Sequence, residues 1–215
     1  MKVGAEETTA IYDEAEGSNG NLFICAHGAG GSVSDKGTLS LTKALRAKGI
    51  DTVRFNFLYR EKGKGGPDQM PKLESCFDAV VTLAKKEINP PTILIGGRSM
   101  GGRAASMMAA KGYECDGLML YAYPLHPPGQ PDKLRVAHLP DITMPVICFS
   151  GTRDPFCTPE LMNKALDTVK TDWEMQWVEG ADHSFHVPKT SGRTDAQVMS
   201  DMADKTSEWV NRLRG

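Results

Sequence analysis

Short, nearly continuous apolar runs alternate along this chain with longer segments whose apolar residues recur on one helical face. Residues 21–28 (NLFICAHG), 51–57 (DTVRFNF), 92–98 (TILIGGR), 117–124 (GLMLYAYP) and 145–151 (PVICFSG) read as strands. Unbroken apolar character is what parallel strands covered on both faces require. Residues 173–180 (WEMQWVEG) alternate instead, as an edge strand does. Between these runs the pattern predicts helices over about 36–48, 71–87, 99–111, 158–169 and 194–213. Leu41, Ala44 and Leu45 share one helical face, and Phe77, Val80, Val81 and Leu83 share another. Thr158-Pro159 has the form of an N-cap followed by proline at the first helical position. Strand and helix in alternation predict right-handed βαβ units in a doubly wound, mostly parallel α/β sheet flanked by helices. There is no internal repeat and no linker, so residues 1–215 are expected to form one domain, with loops at 63–71 and 124–131.

Composition narrows the function classes. Apolar residues at 40% and charged residues at 24% suit a globular chain. A net charge of −2 argues against a nucleic-acid binder, and Arg60, Lys62 and Lys64 fit a solvated loop. The five cysteines (Cys25, Cys76, Cys115, Cys148 and Cys157) are scattered without a C-x-x-C, which points to reduced thiols. Cys25 and Cys148 sit in apolar runs and are expected in the core. The N-terminal MKVGAEETTA lacks the apolar stretch of a signal peptide, and no apolar run approaches 18 residues. The expected location is the cytoplasm, with no membrane contact. Nothing in the pattern sets the oligomeric state.

The candidate chemistry starts at Gly97-Arg98-Ser99-Met100-Gly101, a G-x-S-x-G that leaves an apolar strand and opens an Ala-rich helix. That is the strand–turn–helix setting of a nucleophile elbow. The competing reading is a Gly-rich turn in which Ser99 only caps the helix. A serine nucleophile needs a base, and the base needs an orienting carboxylate. His183 follows the last strand and Asp154 ends the preceding one, so the chain order is Ser, Asp, His. His186 is an alternative base. Asp182 adjoins His183 too closely to reach its ring with good geometry. The oxyanion hole is expected from the backbone N–H groups of Met100 and of Ala29, with Gly30 second, in His27-Gly28-Ala29-Gly30-Gly31. That loop lacks the signatures of a P-loop or a dinucleotide site. His27 is expected to orient it. Arg98 and His126 are candidate pocket residues, and His138 is expected at the surface. The histidines lack a ligand spacing, so no metal is expected, and no cofactor motif is present.

Six segments together resemble the α/β-hydrolase superfamily near its dienelactone hydrolase-like branch. They are His27 to Gly31, Arg54-Phe55-Asn56-Phe57, Gly96 to Gly101, Tyr123-Pro124-Leu125-His126, Ser150 to Asp154 and Ala181 to Ser184. The resemblance is sharper to a small family of predicted bacterial hydrolases that includes a vertebrate testis-expressed protein. A chromatin-associated NSL-complex subunit carries a related domain. The chain departs from these relatives at Leu58, where they often carry proline. The resemblance implies the α/β-hydrolase fold and the positions of Ser99, Asp154 and His183. It implies no substrate. Two functions compete: a serine hydrolase acting on small acyl esters or thioesters, and a non-catalytic interaction module of the same fold. Only residues 125–144 separate the fourth strand from the fifth, and they open with Leu125-His126-Pro127-Pro128-Gly129-Gln130-Pro131. Such a segment is too short and too proline-rich for a large cap, so an open cleft is expected.

Overall fold

The computed structural model describes residues 2–213. In chain order the elements are β1 (Lys2–Val3), β2 (Glu6–Glu7), β3 (Ala10–Asp13), β4 (Asn21–Ala26), α1 (Lys36–Arg46), β5 (Ile50–Phe55) and α2 (Leu58–Glu61). They continue with α3 (Met70–Glu87), β6 (Thr92–Arg98), α4 (Met100–Ala110), β7 (Gly117–Tyr121), β8 (Val146–Gly151), α5 (Pro159–Leu166), β9 (Trp173–Val178) and α6 (Asp195–Arg212). Seven strands form one sheet in the order β3-β5-β4-β6-β7-β8-β9. All neighbours are parallel except β3, which runs antiparallel to β5 and pairs Ala10 with Phe55. The sheet is the expected mostly parallel one, and β9 is an edge as its alternation requires.

The continuous apolar runs conceal a period of two. Along β4, Leu22, Ile24 and Ala26 enter one core while Phe23 and Cys25 enter the other. In β8, Val146 and Cys148 face one side, and Ile147 and Phe149 the opposite side. The first core is closed by α3, α4 and α5 through residues such as Phe77, Val81, Met108 and Met162. The second is closed by α1 and α6 through Leu41, Leu45, Met202 and Trp209. Trp209 lies flush on the sheet at Gly117, where a Cβ would come within 2.7 Å of its ring. Helix starts follow local chemistry. Asp35 caps α1 by accepting from the Thr38 N–H at 3.0 Å, Thr158 caps α5, and Thr194 with Gln197 forms a capping box on α6.

Several expectations need correction. Strands end earlier than the apolar runs do, because His27, Tyr123 and Leu125 are buried in loops at the carboxyl edge. Residues 58–61 form the short helix α2, and the Lys62 ammonium next to it pairs with Glu6. Leu83 lies on the solvent side of α3. Between β7 and β8 there is only a 3-10 turn at Leu139–Asp141, so no large cap covers the sheet. Among the described residues, no helix is long and apolar enough to cross a membrane.

His138 is the clearest reversal. Instead of standing at the surface, its Nε2 lies 2.9 Å from Ser106 Oγ and 3.2 Å from Tyr123 OH, both fully buried. Ser106 donates to the Arg103 carbonyl at 2.9 Å, so the histidine donates into this cluster. Burial pushes its pKa down from 6.5 to about 4. The unfolded chain therefore takes up a proton that the folded chain refuses. Stability is fully present above pH 6.5 and is lost as pH falls toward 4. With the ring in partial contact with solvent, the loss is about 1–2 kcal/mol. The urea midpoint is expected to fall over this window, and His138→Gln to flatten part of that fall. Equal slopes in the two proteins would refute the assignment.

Candidate active site

Every candidate residue lies at the carboxyl edge of the sheet, where β4, β6, β7, β8 and β9 hand over to loops. Ser99 sits between β6 and α4 at φ 49, ψ −116, a conformation that L-residues rarely adopt. The glycines around it make that turn feasible. Gly97 has φ 145, and a Cβ there would lie 2.1 Å from the Ala26 carbonyl oxygen. Gly101 packs as closely, its Cβ position 2.6 Å from the same oxygen. Ser99 is thus lifted out of the sheet, with its own N–H donated to the Tyr121 carbonyl at 2.9 Å.

Three side chains meet in line. His183 Nε2 is 3.0 Å from Ser99 Oγ, and His183 Nδ1 is 2.7 Å from Asp154 Oδ2. A carboxylate only accepts, so Nδ1 carries the proton and Nε2 is free to accept from the serine hydroxyl. The carboxyl group of Asp154 is out of contact with solvent, and its Oδ1 accepts from the Phe156 N–H at 2.8 Å. The Phe156 ring lies 4.6 Å from the His183 ring, centroid to centroid, and restrains it from the other side. The loops bearing acid and base are stitched together. Arg153 N–H donates to the Ala181 carbonyl, and Gly180 N–H donates to Thr152 Oγ1 at 2.8 Å. A Cβ at Gly151 would lie only 2.1 Å from the Ala181 oxygen.

Asp182 and His186 do other work. Asp182 Oδ1 accepts from the Ser184 and His186 N–H groups, which closes the turn that presents His183. His186 is exposed and paired with Asp195 at 3.0 Å, and that carboxylate holds its pKa above the usual value. It does not reach Ser99.

The loop after β4 approaches the nucleophile closely, since a Cβ at Gly28 would sit 3.5 Å from Ser99 Cβ. Its peptide planes are pinned. His27 Nδ1 donates to the Gly28 carbonyl at 2.7 Å, and Gly31 N–H donates to the same oxygen at 2.9 Å. Across a trans peptide the N–H points opposite to the C=O. The Ala29 N–H is therefore turned away from both donors, which commits the Gly28–Ala29 unit to one orientation. His27 Nε2 accepts from the Phe57 N–H at 3.2 Å, and burial holds this histidine neutral by pushing its pKa down. At the other flank, Tyr59 OH donates to the Ala29 carbonyl at 2.6 Å. Below the loop, Asn56 accepts from the Val33 N–H at 2.7 Å while the Arg54 guanidinium donates to the Val33 carbonyl. Met100 is the first residue of α4, so its N–H has no partner within the helix.

Arg98 is a tie rather than a free group. It reaches the His183 carbonyl at 3.5 Å and Asp35 at 3.6 Å, and it lies over Gly37. A cleft of about 840 Å³ opens beside Ser99, lined by Gly28 to Gly31, Met70, Leu73, Arg103, His126, Arg135 and Phe156, among others. His126 therefore lines it, as do Gly30 and Arg98, whereas His27 lies beneath the loop. Sequence reasoning passed over Tyr59, Phe156, Arg103 and Arg135, and named Asn56 only within its Arg-Phe-Asn-Phe run, without a role. Among the described residues no group of three His, Cys, Asp or Glu side chains could hold a metal ion.

Solved structures of similar fold include an α/β serine hydrolase without lid from Xanthomonas campestris, with 22% identity and a TM-score of 0.75 over 94% of this chain and 89% of that one. A dienelactone hydrolase from Anabaena variabilis aligns at 19% identity and TM-score 0.74, covering 98% and 94%. A serine hydrolase homologue from Coxiella burnetii does so at 21% and 0.74, covering 90% of each chain. At these identities the likeness is one of fold. Residues 19–211 match the family described as the α/β hydrolase domain, and the chain belongs to that family.

Proposed function

We propose that this protein is a serine hydrolase of carboxylesterase type that cleaves small acyl esters, with the whole chain acting as one catalytic domain. The observation that carries the proposal is the continuous hydrogen-bonded line from Ser99 Oγ through His183 to Asp154, set on a strained turn at the sheet edge. Ser99 Oγ attacks the ester carbonyl carbon as His183 Nε2 takes its proton. Asp154 holds the imidazole in the accepting tautomer and stabilises the imidazolium. The N–H groups of Met100 and Ala29 receive the negative charge that develops on the carbonyl oxygen. The intermediate collapses as its C–O bond breaks, and His183 returns the proton to the departing alkoxide. Water, deprotonated by His183, then releases the acid and restores Ser99. The same steps cleave a thioester. The five free thiols fit a reducing address such as the cytoplasm.

A fluorophosphonate probe tests this reading, since it captures only an activated serine. Labelling at Ser99 together with turnover of simple esters supports it. Absence of both would favour a non-catalytic binding module. The open cleft also predicts acyl preference. Each methylene left in water forgoes about 0.8 kcal/mol of binding. Across p-nitrophenyl esters from acetate to palmitate, kcat/KM is expected to peak at short chains, with no jump on adding micelles. An optimum at palmitate would overturn that expectation.

A further inference from the structure

Two buried acceptors in the cleft beside Ser99 take no part in the hydrolytic steps. The first is His126. Only 3% of it is exposed, and its Nδ1 donates to the Pro127 carbonyl at 2.8 Å. The neutral ring then presents Nε2 as a bare acceptor, and that atom is buried without a partner among the described residues. The segment that carries it is fixed on both sides. Leu125 N–H donates to the Phe156 carbonyl at 2.9 Å, and Arg135 N–H donates to the Leu125 carbonyl at 2.7 Å. His126 lines the cleft one ring away from the general base: its ring is 6.1 Å from that of Phe156, which is itself 4.6 Å from that of His183. The second acceptor is Asp68, in the loop before α3. Its Oδ2 is buried and accepts no hydrogen bond among the described residues. Lys72 stands 4.0 Å from that oxygen and is shared with Glu6, which it meets at 3.0 Å.

A buried acceptor without a donor costs free energy, and a ligand that brings the donor recovers it. Charge narrows which ligand that is. The cleft is lined by both signs: Asp35 and Asp68, and Arg98, Arg103 and Arg135. Arg98 is tied to Asp35, Arg135 is exposed, and Arg103 has a buried Nε with no partner. A ligand anion would meet the Asp68 carboxylate and the bare His126 nitrogen with no hydrogen to give either. A ligand ammonium would meet the two arginines. A hydroxyl is neutral, donates its hydrogen to Nε2 or to a carboxylate, and still accepts from a guanidinium.

We propose that the substrates of this site are short hydroxylated esters, whose hydroxyl, a few bonds from the scissile group, donates to His126 Nε2, with Asp68 receiving a second hydroxyl where the substrate has one. The reaction is the hydrolysis proposed above; the hydroxyl is read from the two unpartnered acceptors.

The test compares pairs in which a methyl group replaces each hydroxyl. Glycerol 1-acetate against 2-methylbutyl acetate places the hydroxyls on the leaving side. Phenyl 3-hydroxybutanoate against phenyl 3-methylbutanoate places one on the acyl side. Each rate is divided by the alkaline hydrolysis rate of the same ester. On that scale kcat/KM for the hydroxylated member of at least one pair is expected to exceed its partner by about tenfold. The ratio is expected to fall toward one in His126→Leu and to survive in part in His126→Gln, whose side-chain oxygen reaches the place of Nε2. For the glycerol ester it is expected to fall in part in Asp68→Ala as well, and in the parent it should hold as salt is added, since no ligand charge is involved. Should His126→Leu fail to fold, the glutamine and Asp68 variants carry the comparison. A second measurement needs no turnover. Glycerol 1-acetate is expected to raise the Tm of the Ser99→Ala protein more than that of Ser99→Ala with His126→Leu, and 2-methylbutyl acetate to act on the two alike. Ratios near one for both pairs, with no His126-dependent difference in Tm, would overturn the proposal while leaving the hydrolase intact. A tenfold ratio that persists in His126→Leu would overturn it too. A His126-dependent rise in Tm in a protein that hydrolyses neither pair would support the hydroxyl site and reject the reaction.

Discussion

Replacing Ser99 with alanine is expected to abolish fluorophosphonate labelling and to lower ester turnover by roughly 10⁴-fold or more. The reason lies in how little else the hydroxyl does. Its one side-chain partner is His183 Nε2 at 3.0 Å, and Ser99 is only half-buried. The backbone at φ 49 is held by the Tyr121 carbonyl and by glycines on both sides, none of which the substitution touches. Alanine suffers the same torsional cost as serine there, so the fold and its Tm should stay close to the parent. Residual activity would come from water attacking an ester whose carbonyl oxygen is held by the proposed Met100 and Ala29 donors. Labelling or near-parental turnover in the folded variant would show that the nucleophile lies elsewhere.

The parallel core was legible because its strands are buried on both faces, so TILIG and VICFS declare themselves without any partner in view. The N-terminal strands were not. Ala10–Asp13 carries two apolar residues and two polar or amphipathic ones, and it exists because β5 offers an edge some forty residues away. Its anchors are equally remote. Asp13 accepts from Arg54 at 2.7 Å, and Asp51 accepts from the Ala15 N–H at 2.8 Å and from Ser18. Local propensity carries no trace of such pairings.

At the site, the types and order of Ser99, Asp154 and His183 could be read along the chain, because a turn, a strand end and a loop each leave a local mark. The structure brings those three within hydrogen-bonding distance. What could not be read is what holds them. Phe156 looks like any loop aromatic until its N–H meets Asp154 and its ring meets His183. His138 looks solvated until α4 brings Ser106 against it from 32 positions away. Arg103 looks like the polar face of a helix until it is seen to line the cleft beside Ser99. Each of these meanings is a distance between elements, and composition does not encode it.

Asp154→Asn is expected to cut turnover nearly as far as loss of the serine, by about 10⁴-fold, in a protein that still folds. The two carboxyl oxygens have separate partners, which makes the outcome specific. Oδ1 accepts from the Phe156 N–H at 2.8 Å, and the amide oxygen of asparagine can keep that bond. The NH₂ group then faces His183 Nδ1, where Oδ2 now accepts at 2.7 Å. An amide nitrogen donates, so the ring must turn its bare nitrogen toward it and carry its proton on Nε2. In that tautomer Nε2 has nothing to offer the Ser99 proton, although every heavy atom stays close to its place. The serine should therefore lose fluorophosphonate reactivity while Tm changes little. His183→Ala should match the loss, and His186→Ala should cost less than about threefold, because that exposed ring engages only Asp195. Swapping the amide for glutamine instead, in Asp154→Gln, lengthens the side chain inside a fully buried slot and should damage folding as well. If Asp154→Asn retained near-parental turnover, the carboxylate would be a structural acceptor for the Phe156 turn, and the orientation of His183 would have to come from the Phe156 ring and its loop.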